Sequence, residues 1–161
     1  MRWLVVGILV GIMLITGCAV SYNVPSRATG PTGQTAAPPD VVVESWQSID
    51  AADLNARIDQ AVAAGAAWPS SPLRITVELF GADIDTRSVT LKEEKNRGEG
   101  ADTTVVTMVR DGFLDDSVRG EWHQITYRRL PDRTWRIHEI RLAYRCWRGH
   151  HTETFSSSLC L

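Results

Sequence analysis

The residues best suited to chemistry lie near the C-terminus, where His150, His151 and the serines at 156–158 follow the last predicted strand. A histidine base must reach its nucleophile and be oriented by a third group, and proximity in sequence supplies neither condition. The chain has no Gly-x-Ser-x-Gly elbow, no paired-histidine helix motif and no phosphate-binding glycine loop. The sequence therefore favours a non-catalytic binding or assembly module and predicts no catalytic residue. The alternative is a small hydrolase or metal-dependent enzyme that uses His150 or His151.

Arginines alternate with aromatic residues and histidines over the last strand and the tail. Guanidinium groups hold phosphate or carboxylate, and aromatic rings stack on sugars. The candidate binding residues are Arg136, His138, Arg141, Arg145, Trp147, Arg148, His150 and His151. The alternative for the arginines is a solvated basic face that binds no ligand. The alternative for Trp135 and Tyr144 is a place in the core, because their positions in the strand pattern are typical of core residues.

The N-terminus predicts export and lipid anchoring. The apolar run Leu4–Ile15 is too short to span a bilayer and suits the core of a signal peptide. Ile15-Thr16-Gly17-Cys18 resembles the bacterial lipobox, which implies cleavage after residue 17 and acylation of Cys18. We expect a protein held by acyl chains at the cell membrane or the outer membrane, with its domain outside the cytoplasm. The alternative is an uncleaved N-terminal helix that contains a buried cysteine.

Export also bears on the two other cysteines, because an oxidising compartment favours a disulfide between Cys146 and Cys160. The competing arrangement is a zinc site built from both thiols with His150 and His151, although the spacing matches no familiar zinc module. We therefore predict no metal and no cofactor. The expected partners are the membrane and envelope polyanions or another envelope protein, and nucleic acid is not expected outside the cytoplasm.

The C-terminal third resembles a group of uncharacterised bacterial exported and lipoprotein domains. The resemblance rests on Asp115–Val118, Trp135-Arg136 and the series Arg145-Cys146, Gly149-His150 and Cys160. It implies a tail closed by a disulfide and implies no activity. Trp147 stands where the group typically has a glycine.

Charge and composition divide the rest of the chain. The total is near neutral, with 17 basic and 19 acidic residues, but 40–118 holds 15 acids and 7 bases, whereas 119–151 holds 8 arginines and 3 acids. Residues 18–40 contain the lipidated cysteine and a stretch rich in proline, glycine and serine, which predicts a flexible tether. This leaves a signal peptide at 1–17, the tether at 18–40 and one domain at 41–161.

The domain pattern predicts an α+β fold. Ser48 or Asp50 is expected to cap a helix with an apolar stripe, and Gly65 is expected to end it. Strands are predicted from the alternation of apolar and polar residues. The predicted strands are 73–79, 87–94, 103–110, 121–130 and 134–147. The result is one N-terminal helix on a bent antiparallel sheet of about five strands, similar to the cystatin-like or nuclear-transport-factor-like architectures.

The last predicted strand contains an irregularity. Trp135 and Ile137 share one parity, whereas Ile140, Leu142 and the residues that follow share the other. One extra residue near His138 and Glu139 would keep both sets on the core side. We therefore predict a β-bulge there.

Overall fold

The structure is a computed structural model and describes residues 41–81 and 85–161. The described residues belong to one compact unit, Ala37–Leu161. The predicted signal peptide at 1–17, the lipidation site Cys18 and the predicted tether at 18–40 lie outside the described residues.

The described chain has an α+β fold with one five-stranded sheet in which every pairing is antiparallel, in agreement with the predicted class. The elements in chain order are β1 (Gln47–Ile49), α1 (Ala52–Ala63), a 3₁₀ turn (Trp68–Ser70), α2 (Pro72–Phe80), β2 (Thr86–Lys95), β3 (Thr103–Phe113), β4 (Val118–Arg129) and β5 (Trp135–Cys146). The order across the sheet is β1-β5-β4-β3-β2. Hence β2 is an edge strand, and β1 pairs with only part of β5.

The predicted helix is present as α1, although β1 precedes it, so the helix is not the first element. The predicted cap at Ser48 or Asp50 is wrong, because the N-cap residue is Ala51, which has no capping side chain, and Ser48 lies in β1. Asp50 Oδ1 accepts the amide hydrogen bond of Ala52 at 3.0 Å from one position before the N-cap. Ile58 is fully buried on the inner face. Gly65 follows the helix with φ of 71°, a left-handed conformation that glycine adopts without strain and that ends helices.

The predicted strand at 73–79 is wrong, because this segment is helix α2. Its buried residues are Pro72, Ile75 and Thr76, which are spaced by three and four residues as on one face of a helix. Proline fits the first helical turn, where its missing N–H costs no intrahelical hydrogen bond. Val77 belongs to the apparent alternation but is 49% exposed, so that alternation did not mark a buried strand face. The structure thus has two α-helices where one was predicted.

Strand β3 continues beyond the predicted stop at Asp111-Gly112 and ends at Phe113. Gly112 has φ of 76°, and a Cβ built on it would lie 2.7 Å from Cβ of Arg87 on β2. Glycine is therefore required here both for the backbone conformation and for the close approach of β2. Strand β3 thus continues past Asp111-Gly112, a pair of residues that is typical of turns.

The predicted β-bulge in β5 is confirmed. Tyr127 on β4 pairs with Ile137, and the adjacent Thr126 pairs with Glu139, so His138 is the extra residue. The bulge lets Trp135 and Ile137 before it, and Ile140 after it, all reach the core. Side-chain atoms of Asn55 on α1 bond both the N–H and the C=O of Ile137, at 3.0 and 2.9 Å.

The core lies between the helices and one face of the sheet. α1 packs on β5 and α2 on β3. The hydroxyls of Thr76 and Tyr127 form a buried hydrogen bond of 2.8 Å, and burial raises the pKa of Tyr127 above its usual range. The buried core residues are Ile58, Ile75, Val106, Ile125, Tyr127, Trp135, Ile137 and Ile140.

Candidate functional site

The tail, residues 147–161, folds back on the end of β5. Gly149 and His151 have φ of 79° and 58°, so the backbone turns through two left-handed residues. The turn is closed by the Cys146 N–H, which donates to the His151 carbonyl at 3.1 Å. Trp147 does not have positive φ, so a glycine is not required at its position.

The predicted disulfide is present between Cys146 and Cys160, whose Cα atoms are 5.5 Å apart. Both thiols are consumed by this bond, which removes them from the zinc arrangement considered above. Within 41–81 and 85–161, no group of three His, Cys, Asp or Glu side chains could hold a metal ion. The bond fixes the tail to the last residue of the sheet.

A second attachment of the tail is Phe155, which is 1% exposed and bonds to the chain segment before β1. Its carbonyl accepts the Glu44 N–H at 2.8 Å, and its own N–H donates to the Val42 carbonyl at 3.0 Å. The next residue, Ser156, exchanges two backbone hydrogen bonds with Tyr144 of β5, at 2.7 and 2.9 Å. The tail is therefore sandwiched between β5 and the segment 42–45, which we call the N-terminal strap.

The tail serines bond to the strap. Ser45 Oγ lies 3.0 Å from Ser156 Oγ and 2.9 Å from Ser157 Oγ. Among the described residues, neither tail serine has a histidine as a hydrogen-bond partner. A serine nucleophile requires an adjacent base, so these hydroxyls have the contacts of structural groups.

A pocket of about 440 Å³ opens against the disulfide, and we call it the tail pocket. Its wall contains Cys146, Arg148, Gly149, His150, His151, Ser158, Leu159, Cys160 and Leu161. Three of the eight predicted binding residues, Arg148, His150 and His151, meet here. The structure thus brings together the three most C-terminal residues of the predicted set.

Polar groups of the tail pocket differ in how far they are already satisfied. His151 Nδ1 lies 3.2 Å from a carboxylate oxygen of Glu44 in the strap, and its ring lies 6.2 Å from that of His150. Arg148 donates to the Asp116 carbonyl at 3.1 Å. No carboxylate of the described chain lies within 4.0 Å of Arg148. Most of the donors of this guanidinium are thus open to a ligand.

Arg145 and Trp147 lie beside the pocket but do not line it. Arg145 is 8% exposed, forms an ion pair with Asp111 and stacks over the ring of Phe155 at 5.0 Å. Its side chain therefore packs under the tail as a structural contact. Trp147 is 43% exposed, and its indole N–H donates to the Phe113 carbonyl at 3.2 Å. The guanidinium of Arg119 covers this indole at 5.3 Å.

The other three predicted residues lie apart from the tail pocket. Arg136 forms an ion pair with Asp59 on α1. His138 is the exposed bulge residue, and Arg141 bonds Glu139 at 2.9 Å on its own strand. These residues belong to the sheet edge and the sheet surface.

Sequence reasoning missed a polar cluster on the helix side of the sheet. Arg110 forms an ion pair with Glu121 and donates to the Phe80 carbonyl at 3.2 Å. His123 is 6% exposed against the Phe80 ring, and burial, with the charge of Arg110, lowers the pKa of His123 to about 4. Burial and the Glu121 carboxylate raise the pKa of Tyr144. The available signal was parity, since His123, Ile125 and Tyr127 alternate on one face.

Comparisons with family models, with curated proteins and with solved structures found no match. In the described ranges, no helix is long and apolar enough to cross a membrane.

Proposed function

We propose that this chain is a lipid-anchored protein of the cell envelope whose domain acts as a non-catalytic binding or assembly module. The signal peptide is residues 1–17, Cys18 carries the acyl chains, and residues 18–40 link it to a domain outside the cytoplasm. The lipobox-like Ile15–Cys18 supports the anchor. The Cys146–Cys160 bond supports an oxidising compartment. By analogy, the architecture is cystatin-like or nuclear-transport-factor-like.

The tail pocket is the proposed binding site, and one observation carries the assignment. Arg148 has no carboxylate partner in the described chain, yet its guanidinium lies on the wall of a pocket. An arginine with open donors recognises phosphate or carboxylate in a bidentate way. His150 adds a second polar group to the wall, and the disulfide and Leu159 supply apolar wall. The ligand class is therefore an acidic group of an envelope polyanion or of another envelope protein.

The anchor is tested by Cys18→Ser in cells, with fractionation of membranes. We expect the wild type in the membrane fraction, with acyl chains detected on Cys18 by mass spectrometry. The variant should lose the acyl chains and, where the signal is still removed, leave the membrane. A wild-type chain with an unmodified Cys18 contradicts the anchor.

The site is tested with glycerol phosphate, which carries the phosphate chemistry of lipid headgroups and wall polymers. The full ¹⁵N-labelled chain in neutral detergent is titrated and followed by NMR. We expect shifts confined to 148–151 and 158–161, and we expect Arg148→Ala to abolish them. Arg128→Ala is the matched control, because this exposed arginine lies at the opposite end of β4. Equal shifts in both variants, or no shifts at millimolar phosphate, would overturn the site.

A hydrolase is the second candidate, and the contact between His151 and Glu44 favours it. A carboxylate that orients a histidine is the arrangement of a general base, and His151 of this pair lines the tail pocket. The full chain would be incubated with small nitrophenyl esters and nitrophenyl phosphate. Release of nitrophenol by the wild type that is lost in both His151→Gln and Glu44→Gln would replace the binding proposal. A wild-type rate equal to that of the two variants excludes the hydrolysis of these substrates by this pair.

A further inference from the structure

Exposed apolar side chains collect at one end of the sheet. Leu114 is 84% exposed, Leu159 is 70% exposed and Val42 is 59% exposed, and Trp147 adds an exposed indole. Large apolar side chains elsewhere in the described chain are less exposed than Val42, for example Val77 at 49% and Leu130 at 38%. Apolar surface gathered in this way typically marks an interaction site.

These side chains share the end of the sheet where β3 meets β4 and where β5 meets the tail. Leu114 and Trp147 line one pocket of about 290 Å³, and Leu159 lines the tail pocket together with Arg148, the residue that follows Trp147. Val42 lies beside Phe155 through a backbone hydrogen bond. We call this surface the tail end of the domain.

The tail end is also where the described chain begins. The strap, 42–45, is bonded to the tail, so Val41, the first described residue, lies beside the same apolar side chains. The flexible tether predicted from the composition of the 22 residues between Cys18 and Val41 would have a root-mean-square reach of roughly 25 Å. An anchor at Cys18 would therefore keep the tail end within a short distance of the bilayer.

We propose that the tail end lies on the lipid surface, with Leu114, Leu159 and Trp147 in the headgroup region of the bilayer. The proposal rests on the lipid anchor of the proposed function. Tryptophan is enriched at this depth of a membrane, and exposed leucines add the apolar contact that interfacial binding needs. The Asp115 carboxylate accepts the amide hydrogen bonds of Ser117 and Val118, both at 2.7 Å, and so fixes the turn that presents Leu114.

Local charge indicates that apolar contact, and not charge attraction, drives this docking. Arg119 and Arg145 both face Asp111, which leaves Arg87 and Arg148 as the guanidinium groups of the described tail end without a carboxylate partner. The surrounding carboxylates are more numerous and are those of Glu44, Asp85, Asp111, Asp115, Asp116 and Glu153. Docking should therefore occur on neutral lipid and persist at high salt.

The test is hydrogen–deuterium exchange on the full acylated chain, purified from bacterial membranes and reconstituted in phosphatidylcholine vesicles. The double variant Leu114→Ser/Leu159→Ser removes two exposed side chains that support no core. Leu130→Ser is the matched control at the opposite end of the sheet. We expect exchange of 113–118 and 147–153 to be about tenfold slower in the wild type and in the control than in the double variant. The turn at 96–102 should exchange equally in all three.

Equal exchange of the tail end in the wild type and the double variant would overturn the docking. Slowing that appears only with phosphatidylglycerol and vanishes at high salt would also overturn it, since charge would then be the cause. If mass spectrometry finds Cys18 unmodified, the anchor of the proposed function fails and the docking fails with it. An acylated chain without slowing refutes the docking alone.

Discussion

His123 gives the domain a specific dependence on pH. Its ring is 6% exposed and faces Phe80, and its Nδ1 has no hydrogen-bond partner in the described chain. Burial, reinforced by Arg110, lowers the pKa of His123 from 6.5 to about 4. The folded protein therefore keeps this ring neutral over a range in which the unfolded chain protonates it.

The sign follows from proton binding by the two states. Well above pH 6.5 both states hold His123 neutral, and its contribution to stability is complete. As the pH falls towards 4, the unfolded chain takes up a proton that the folded chain resists, so the free energy of unfolding decreases. Each unit of pKa difference corresponds to about 1.4 kcal/mol, so this one residue accounts for a loss of about 3 kcal/mol by pH 4. For a domain of this size, the loss lowers Tm by about 10 °C.

The measurement is thermal unfolding of the full chain in neutral detergent at pH 7.5 and pH 4.5, with the disulfide intact. His123→Phe keeps an aromatic ring against Phe80 and cannot titrate, so we expect it to lose far less stability than the wild type over this range. His138→Gln is the control, because it removes an exposed histidine and should follow the wild type. His123→Leu provides a second non-titrating variant if phenylalanine packs poorly. Equal losses in the wild type and both His123 variants would refute the reasoning.

Three further predictions concern stability and use the same unfolding measurement. Reduction of the Cys146–Cys160 bond, which spans 14 residues of sequence, should cost about 3 kcal/mol, and an unchanged Tm would contradict this. Asn55→Ala should cost about 2 kcal/mol, because it leaves the bulge backbone at Ile137 without two hydrogen bonds, whereas a loss below about 0.5 kcal/mol would show that water replaces them. Gly112→Ala should destabilise by about 2 kcal/mol or more through its positive φ and the close Cβ of Arg87, whereas Gly98→Ala, with open space around it, should change stability by less than about 0.5 kcal/mol.

The sequence predicted correctly those parts of the fold in which a local residue pattern is compatible with only one secondary structure. The parity change around His138 could only be absorbed by an extra residue, and the bulge lies there. The segment at 73–79 had two solutions, since Leu73, Ile75 and Leu79 fit a strand face. The segment forms a helix that buries Thr76, and this burial depends on the hydrogen bond between the hydroxyls of Thr76 and Tyr127. Tyr127 belongs to β4, far along the chain. That partner is invisible to a local pattern.

Strand β1 shows a second limit of the sequence pattern. It has three residues, two of them exposed, and exists because β5 offers an edge at Ile140–Leu142. The predicted count of five strands therefore agrees with the structure although one predicted strand is a helix and one observed strand was not predicted. Short elements of this kind depend on their partners more than on their own residues.

The candidate site was predictable only where its residues are neighbours in sequence. Arg148, His150 and His151 share the tail pocket because one turn carries them all. Glu44 lies more than a hundred residues away from His151 in sequence, and the strap brings the two together. Arg136 and Arg141 were grouped with the tail by charge alone, but nearby carboxylates pair with both. A charge pattern does not indicate which charges are already neutralised by partners in the folded domain.

The pairing of the strap with the tail has a mechanical consequence. A force applied upstream of Val41 loads the parallel contact between Val43 and Phe155 before it reaches α1. The load then passes along the tail to β5 through the Tyr144–Ser156 hydrogen bonds and the covalent Cys146–Cys160 bond. Tension on the chain is thus carried by the sheet and a disulfide, while the packing between the helices and the sheet is spared.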